Sequence, residues 1–323
     1  MVPSRVLIVG AGMAGLTAAR RLQDQGIGSV ILDKGRAPGG RMATRSVGAA
    51  RFDQGAQHFS ARSPQFRAEV EGWIGQSLAR EWYRSESITN PDRGLEPRYV
   101  GVDGMRRIPE AMVAGLDVRT AVTVDRLAVI NGKVAAVAGD DVVETGDAVV
   151  LTPPLPQTRR LLDASGAALT GLLERMLDQV EYDPCLTVMA RLDRSSGLPG
   201  GHLSLGEGPI AWIADNHHKG ISAVPTLTIH ASPEFSIDHL EDAPNRWLGL
   251  LVDEATTHLE IQIMEATAHR WRYAQPRTTF DVGAVGFDVG FPVVIAGEVF
   301  AGARVEGAYT SGAAAASLVL EYL

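Results

Sequence analysis

The chain opens on an apolar run, Val6-Leu7-Ile8-Val9, after which apolar residues recur with helical spacing at Met13, Ala14, Leu16, Ala18, Ala19 and Leu22. The run is short and lacks polar alternation, the pattern of a strand buried on both faces of a parallel sheet. A second run, Val30-Ile31-Leu32, ends in Asp33 and completes a predicted strand–helix–strand unit. At residue 61 the pattern changes: Ser63-Pro64 opens a predicted helix carrying Val70, Trp73 and Ile74. A helix near Met105 and short strands around residues 118–124, 134–137 and 148–151 follow, and Pro153-Pro154 stops the last of them. Strand-like runs at 186–192, 211–214 and 227–231, with a helix over 243–257, read as an antiparallel sheet flanked by helices. A final buried strand, Val293-Val294-Ile295-Ala296, and a small-residue helix over 313–323 close the chain. The predicted architecture is two interleaved domains. A Rossmann-like α/β domain comes from 1–60, 97–155 and 277–323, and an α+β domain on an antiparallel sheet from 61–96 and 156–276.

Glycine spacing gives the first unit its chemistry. Gly10, Gly12 and Gly15 stand as G-x-G-x-x-G between the strand and the helix. In that spacing the first turns the chain tightly, the second lets backbone N–H groups approach a pyrophosphate, and the third lets helix and strand pack closely. The helix N-terminus adds partial positive charge for a diphosphate. Asp33, at the end of the second strand, lies where a carboxylate meets a ribose hydroxyl. Dinucleotide binding follows, without yet choosing between NAD and FAD.

The next segment makes the choice. Asp33-Lys34-Gly35-Arg36-Ala37-Pro38-Gly39-Gly40-Arg41-Met42-Ala43-Thr44-Arg45 and Phe52-Asp53-Gln54-Gly55-Ala56-Gln57-His58-Phe59 resemble the glycine-pair-and-arginine extension of the flavin amine oxidase superfamily. A guanidinium fork such as that of Arg41 suits phosphate oxygens. Near the other end, Gly297-Glu298 and Val305-Glu306-Gly307-Ala308-Tyr309-Thr310-Ser311-Gly312 resemble the superfamily's ribityl-binding pair and its flavin-edge segment. Across residues 5–316 the chain resembles bacterial renalase-like flavoproteins. Asn216-His217-His218-Lys219, His230-Ala231-Ser232-Pro233-Glu234-Phe235-Ser236 and His269-Arg270-Trp271-Arg272-Tyr273-Ala274 narrow the likeness, and Asp33 stands where many relatives carry Glu.

This resemblance implies a two-lobed fold of the p-hydroxybenzoate hydroxylase type with FAD as cofactor. The residues implied to hold it are Gly10, Gly12, Met13, Ala14, Gly15, Asp33, Lys34, Gly40, Arg41, Met42, Gly55, Ala56, Gln57, Val122, Thr152, Gly297, Glu298, Val305, Glu306, Gly307 and Ala308. It also implies a reaction: hydride passes from 2- or 6-dihydro isomers of NAD(P) to flavin N5, and O2 is reduced to H2O2. No catalytic side chain is assigned, because a dihydropyridine becomes aromatic on losing hydride. Expected pocket residues are Gln57, His58, Asn216, Lys219, His230, Trp271 and Tyr273. The alternatives are an amine oxidase or desaturase of the same superfamily, and a non-catalytic flavin- or NAD-binding module.

Composition limits the partners. A net charge of −8 argues against nucleic acid and anionic membranes, and no apolar stretch approaches the ~20 residues of a membrane span. With no room for a leader before the first strand, a cytoplasmic protein is expected. The one cysteine, Cys185, precludes an intramolecular disulfide and lies far from the C-terminal flavin segment, so FAD is expected to be non-covalent. No metal-ligand spacing is present. An aromatic content of 6% speaks against the ring cage expected of an amine oxidase pocket.

Overall fold

A computed structural model of the chain describes residues 4–86, 94–169 and 171–323. Strand β1 (Arg5–Val9) leads into helix α1 (Met13–Asp24) and strand β2 (Gly28–Leu32). Two hairpins flank helix α2 (Pro64–Gly75): β3 (Thr44–Val47) with β4 (Ala50–Asp53), and β5 (Ala79–Glu86) with β6 (Leu95–Gly101). Helix α3 (Arg107–Met112) and strand β7 (Asp117–Arg119) precede an antiparallel meander, β8 (Arg126–Ile130), β9 (Lys133–Ala138) and β10 (Asp141–Gly146). Next come strand β11 (Ala148–Leu151) and helices α4 (Leu155–Ala164) and α5 (Gly171–Gln179). The second sheet draws on β12 (Tyr182–Leu192), β13 (His202–Ser204), β14 (Ile210–Asp215) and β15 (Thr226–Ala231). Helices α6 (Pro233–Asp238) and α7 (Pro244–His258) separate these from its last strand, β16 (Ile263–Pro276). Strands β17 (Val285–Asp288) and β18 (Pro292–Ile295) and helix α8 (Val305–Leu320) finish the chain.

The main sheet runs β17-β18-β11-β1-β2-β7, parallel except for edge strand β17. Period-two alternation divides its central strands between two cores. Val6, Ile8, Ile31 and Val150 face α1 and α8, whereas Leu7, Val9, Val30 and Leu151 face the meander, α4 and α5. Helix residues Leu161, Leu162, Met176 and Leu177 pack into that second core. The segment holding α4 and α5, assigned from sequence to the substrate domain, therefore belongs with the nucleotide domain. Its helical period identifies an apolar face but not the sheet that face covers. The boundary drawn between 96 and 97 falls inside β6, which pairs with β5 along its length.

The second sheet, β13-β14-β15-β12-β16, is antiparallel throughout. One face is apolar: Leu186, Val188, Ala190, Leu227 and Ile229 pack beneath Trp247, Leu251 and Ala255 of α7. The other face carries Thr187, Thr228 and His230, with Trp212 beside His230 in register. That polar face turns toward the nucleotide domain, where Met189 meets Ala50 and Phe52 of the β3–β4 hairpin. Among the described residues, no helix is long and apolar enough to cross a membrane.

Helix α8 begins at Val305, eight residues before the expected start. Gly307 and Gly312 resemble loop residues in sequence, yet they serve close packing. A Cβ at Gly307 would overlap the Gly302 carbonyl, and one at Gly312 would overlap the Ala14 carbonyl of α1. The α1–α8 crossing thus depends on a missing side chain. Gly312→Ala is expected to destabilise the fold by about 1–3 kcal/mol through overpacking, read as a lower urea midpoint. An unchanged midpoint would show that the two helices can separate freely.

Candidate functional site

The nucleotide-binding turn lies at the carboxyl ends of β1 and β2, where ligands of parallel sheets bind. Gly10, at φ +107°, makes the turn, and Gly12 is the N-cap of α1 with no side chain capping the helix. The orphan N–H groups of its first turn are left for an anion. Asp33 is oriented by backbone: its carboxylate accepts from Ala11 N and Gly35 N, both at 2.6 Å. Val122 N donates to the Asp33 carbonyl at 2.9 Å, and Thr152 Oγ1 donates to the Val9 carbonyl at 2.9 Å. These contacts gather five expected cofactor residues around one cleft. Lys34 does not join them, since its ammonium reaches outward to Gln157 at 3.0 Å.

The two ends of the chain meet here. Arg41, on a short turn over Gly40–Met42, donates through Nη1 to Glu298 Oε1 at 2.7 Å, and its Nη2 bonds Oε2. Burial works against the Arg41 cation, but the charge and hydrogen bonds of Glu298 raise its pKa above the ordinary value. Gly55 packs where a Cβ would overlap the Arg41 carbonyl, and Ala56 N bonds that carbonyl at 2.8 Å. Met42 is buried behind them. Gly297 N donates to Ser311 Oγ of α8 at 2.8 Å, and no side chain caps the N-terminus of that helix. The Glu306 carboxylate accepts from Ser63 N at 2.6 Å and Arg62 N at 3.1 Å, anchoring the start of α2.

A second constellation joins the domains. Asp53, at the end of β4, and Lys219, just past β14, are both fully buried, with Nζ 2.9 Å from Oδ2. Asp53 Oδ1 accepts from Thr44 Oγ1 at 2.6 Å and Met105 N at 2.8 Å. Lys219 also donates to Gln57 Oε1 at 3.2 Å and lies 5.0 Å from the Trp82 ring centroid. Burial lowers the Lys219 pKa despite the opposing pull of Asp53. Gln57 Nε2 donates to the Gly55 carbonyl at 2.9 Å. The Gln54 carbonyl accepts from Trp271 Nε1 at 2.8 Å and lies 3.3 Å from His230 Nε2. Asn216 Oδ1 accepts from Asp53 N at 3.3 Å, while its Nδ2 donates to Thr228 Oγ1 at 3.0 Å.

This arrangement places the pocket residues expected from sequence in different surroundings. Asn216 and Lys219 are buried in the interdomain junction, Asn216 tying Asp53 N to Thr228 and Lys219 pairing with Asp53 and Gln57. Tyr273 pairs with Arg160, both guanidinium nitrogens lying 3.1 Å from its hydroxyl, and packs edge-on against Tyr182. Gln57, His58, His230 and Trp271 do converge.

Around His58 stand four rings that sequence reasoning missed: Trp82 and Tyr83 of β5, His202 of β13 and Trp212 of β14. The low overall aromatic content misleads here, because three strands distant in sequence concentrate their rings in one place. The adjacent Trp82-Tyr83 pair and the lone Trp212 on a short strand were the available signals.

The cleft fits a flavin dinucleotide. Nothing lies within 4 Å of where a Cβ would stand at Gly12 or Gly297, and at Gly40 the nearest atom is the Gly12 Cα at 3.7 Å. At Gly12, whose φ of −81° suits any residue, the protein therefore keeps bare backbone where a side chain would meet nothing internal, whereas Gly40 and Gly297, at φ +53° and +154°, are also required by their own backbone. Residues 84–320 match the profile for flavin containing amine oxidoreductases, and residues 8–71 match an NAD(P)-binding Rossmann-like domain.

The chain belongs to the flavin containing amine oxidoreductase family. FAD is its cofactor, and this flavoprotein is an oxidoreductase. Solved structures agree on the fold. A protein from Exiguobacterium sp. 255-15 named as a protoporphyrinogen oxidase superposes with TM-score 0.71 at 14% identity, covering 99% of this chain and 100% of that one. Putrescine oxidase bound to putrescine superposes with TM-score 0.71 at 16% identity, covering 99% of both. Hydroxyneurosporene desaturase of Rubrivivax gelatinosus is 43% identical over 58 residues, 18% of this flavoprotein and 11% of the desaturase.

Gly12→Leu is expected to leave the apo-protein's unfolding midpoint almost unchanged while abolishing retention of FAD through gel filtration. A yellow variant would contradict the role assigned to that bare backbone. The buried imidazoles give a second test. Burial, helped by Lys219, lowers His58 from 6.5 to about 3; burial likewise lowers His230 to about 4, against the Gln54 hydrogen bond. The unfolded chain thus binds more protons between pH 6.5 and about 4, so stability rises with pH across that window. Acidifying from pH 7 to 5 is expected to remove roughly 1–2 kcal/mol per imidazole, seen as a falling urea midpoint. The double variant His58→Gln, His230→Gln should flatten that slope, and an unaltered slope would refute the assignment.

Proposed function

We propose that this flavoprotein is a renalase-type oxidase, acting on 2- and 6-dihydro isomers of NAD(P) and returning NAD(P)+. When bound, FAD would supply the hydride acceptor, N5, and the redox centre through which the two electrons reach O2 to give H2O2. The observation that carries the reading is the charge and shape of the ring cluster beside Gln57. Burial, together with the cations Lys219 and Arg98, holds His58 well below its ordinary pKa, and burial does the same for His230. Nearby carboxylates are committed: Asp53 to Lys219, Glu298 to Arg41, and Glu306 to the start of α2. None of these three carboxylates is left unpaired to receive an ammonium substrate. A flat, uncharged ring with an anionic tail suits the same surroundings.

No general base is needed in this scheme. The protein's tasks are to hold the donor ring at hydride distance and to exclude water, and orientation of that kind supplies much of a rate enhancement. On the same proposal Arg41, Gly12 and the α8 N-terminus hold FAD without a bond to it. Cys185, on β12, has its thiol pushed up to about 11 by burial and is a poor nucleophile for covalent attachment. A cytoplasmic setting belongs to the same reading.

The aromatic walls favour one second reading, an oxidase or desaturase of small amines or cyclic substrates. Anaerobic stopped-flow mixing separates the two. The 2- and 6-dihydro isomers are expected to bleach the visible flavin band at least a hundredfold faster than putrescine or simple amines at equal concentration. Rapid bleaching by an amine, with none by the dihydronucleotides, would replace the first reading with the second.

A further inference from the structure

The Gln57 amide sits at the interdomain junction in one forced orientation. Its Oε1 accepts from Lys219 Nζ at 3.2 Å, and its Nε2 donates to the Gly55 carbonyl at 2.9 Å and to the Asp53 carbonyl. A flipped amide would set its oxygen against those two carbonyls and its NH2 against the ammonium, pairing acceptors with acceptors and donors with donors. Both amide hydrogens are therefore consumed. Beside them, His230 Nε2 lies 3.3 Å from the Gln54 carbonyl and 3.4 Å from Gln57 Nε2. With no hydrogen left on Gln57 to share, that ring nitrogen has one role open to it. It holds the proton and donates to Gln54.

The state of the second ring nitrogen follows. Burial lowers the His230 pKa to about 4, against the Gln54 hydrogen bond. An uncharged imidazole with its proton on Nε2 carries a lone pair at Nδ1. No described residue hydrogen-bonds Nδ1, and the atom is not sealed inside the protein. The ring is half-buried on the sheet face that turns toward the nucleotide domain, in register with Thr187 on one side and Trp212 on the other. Its direction is set by the tie to Gln54, whose carbonyl also receives Trp271 Nε1 at 2.8 Å. Side chains from β15 and β16 thus hang on one backbone oxygen, and the bare nitrogen of His230 is left as an acceptor.

We infer that His230 Nδ1 is a fixed hydrogen-bond acceptor for a ligand, and that it selects a neutral flat ring bearing an N–H donor, such as a primary carboxamide. A ring whose substituent can only accept, such as an ester, leaves that lone pair unpaired on binding, and a buried acceptor without a partner is costly. The inference rests on the functional reading above for the natural ligand, a carboxamide-bearing dihydropyridine. It deepens that reading by naming the atom that distinguishes the amide.

The test uses the FAD-loaded protein and two flat, neutral probes of similar shape: benzamide, which has N–H donors, and methyl benzoate, which has none. His230→Gln sets an amide where Nε2 stood, keeping the tie to Gln54 and removing the acceptor at Nδ1. His230→Asn does the reverse. Calorimetry is expected to show benzamide weakened about fivefold in His230→Gln, the equivalent of one ordinary hydrogen bond, with methyl benzoate changed by less than about twofold. In His230→Asn the benzamide affinity should return to within about twofold of wild type. FAD content and unfolding midpoint identify the folded variants, and His230→Gln decides alone should His230→Asn not fold. Independently, proton–nitrogen correlation spectra of wild-type protein carrying isotope-labelled histidine are expected to place the His230 proton on Nε2, the signal being identified by its loss in either variant. A proton on Nδ1, equal effects of His230→Gln on both probes, or no binding of benzamide to wild type overturns the acceptor role. Any of these together with rapid flavin bleaching by dihydronucleotides sinks that role alone. The expected results without such bleaching sink the renalase-type reading and leave the acceptor standing.

Discussion

The architecture turns on a fully buried ion pair, Asp53 with Lys219, at the junction of the β3–β4 hairpin and the second sheet. An uncompensated charge at such a place is expensive, and breaking a buried pair by removing one partner costs about 3–5 kcal/mol. Each charge therefore requires the other sheet to be present and correctly placed. The carboxylate also holds Thr44 and the Met105 amide, while the ammonium holds Gln57. Three chain segments and both domains are thereby fixed around one point. A hydrophobic contact of similar size would bring the domains together but would tolerate sliding. The charged pair fixes register.

The same pair shapes the chemistry around it. Lys219 contributes to lowering the pKa of His58 and His230, and its ammonium lies 5.0 Å from the centroid of the Trp82 ring. The nucleotide cleft obeys the opposite logic: its polar groups are mostly backbone, aligned by glycines and by an aspartate that accepts from two amides. One region presents helix ends and bare backbone, the other gathers aromatic side chains around buried polar ties. Arg41 and Glu298, from opposite ends of the chain, close the cleft between them.

Much of this was readable in the residues. Runs of unbroken apolar character located β1, β2, β11 and β18, because strands buried on both faces must be apolar throughout. The glycine spacing and Asp33 located the nucleotide cleft, since those features are local and their geometry is fixed within a few residues. The substrate-side site was less legible. Asn216 and Lys219 read as ligands for a substrate and lie buried with partners in the protein, for a polar side chain looks the same in sequence whether its partner is a ligand or another strand. The rings of Trp82, Tyr83, His202 and Trp212 drew no notice, being scattered over more than a hundred positions. The start of α8 was misplaced because Gly307 and Gly312 lower helix propensity, and only the packed neighbour explains their presence.

The sequence by itself determined the class of fold, the dinucleotide turn and the acid that faces it, all consequences of backbone periodicity and short-range sterics. Tertiary structure alone decided which polar residues are consumed in joining the domains, which helices cover which sheet, and which rings share a pocket. Those outcomes depend on strand order and register between distant segments. No local pattern encodes them, because burial and charge pairing exist only once both partners have arrived.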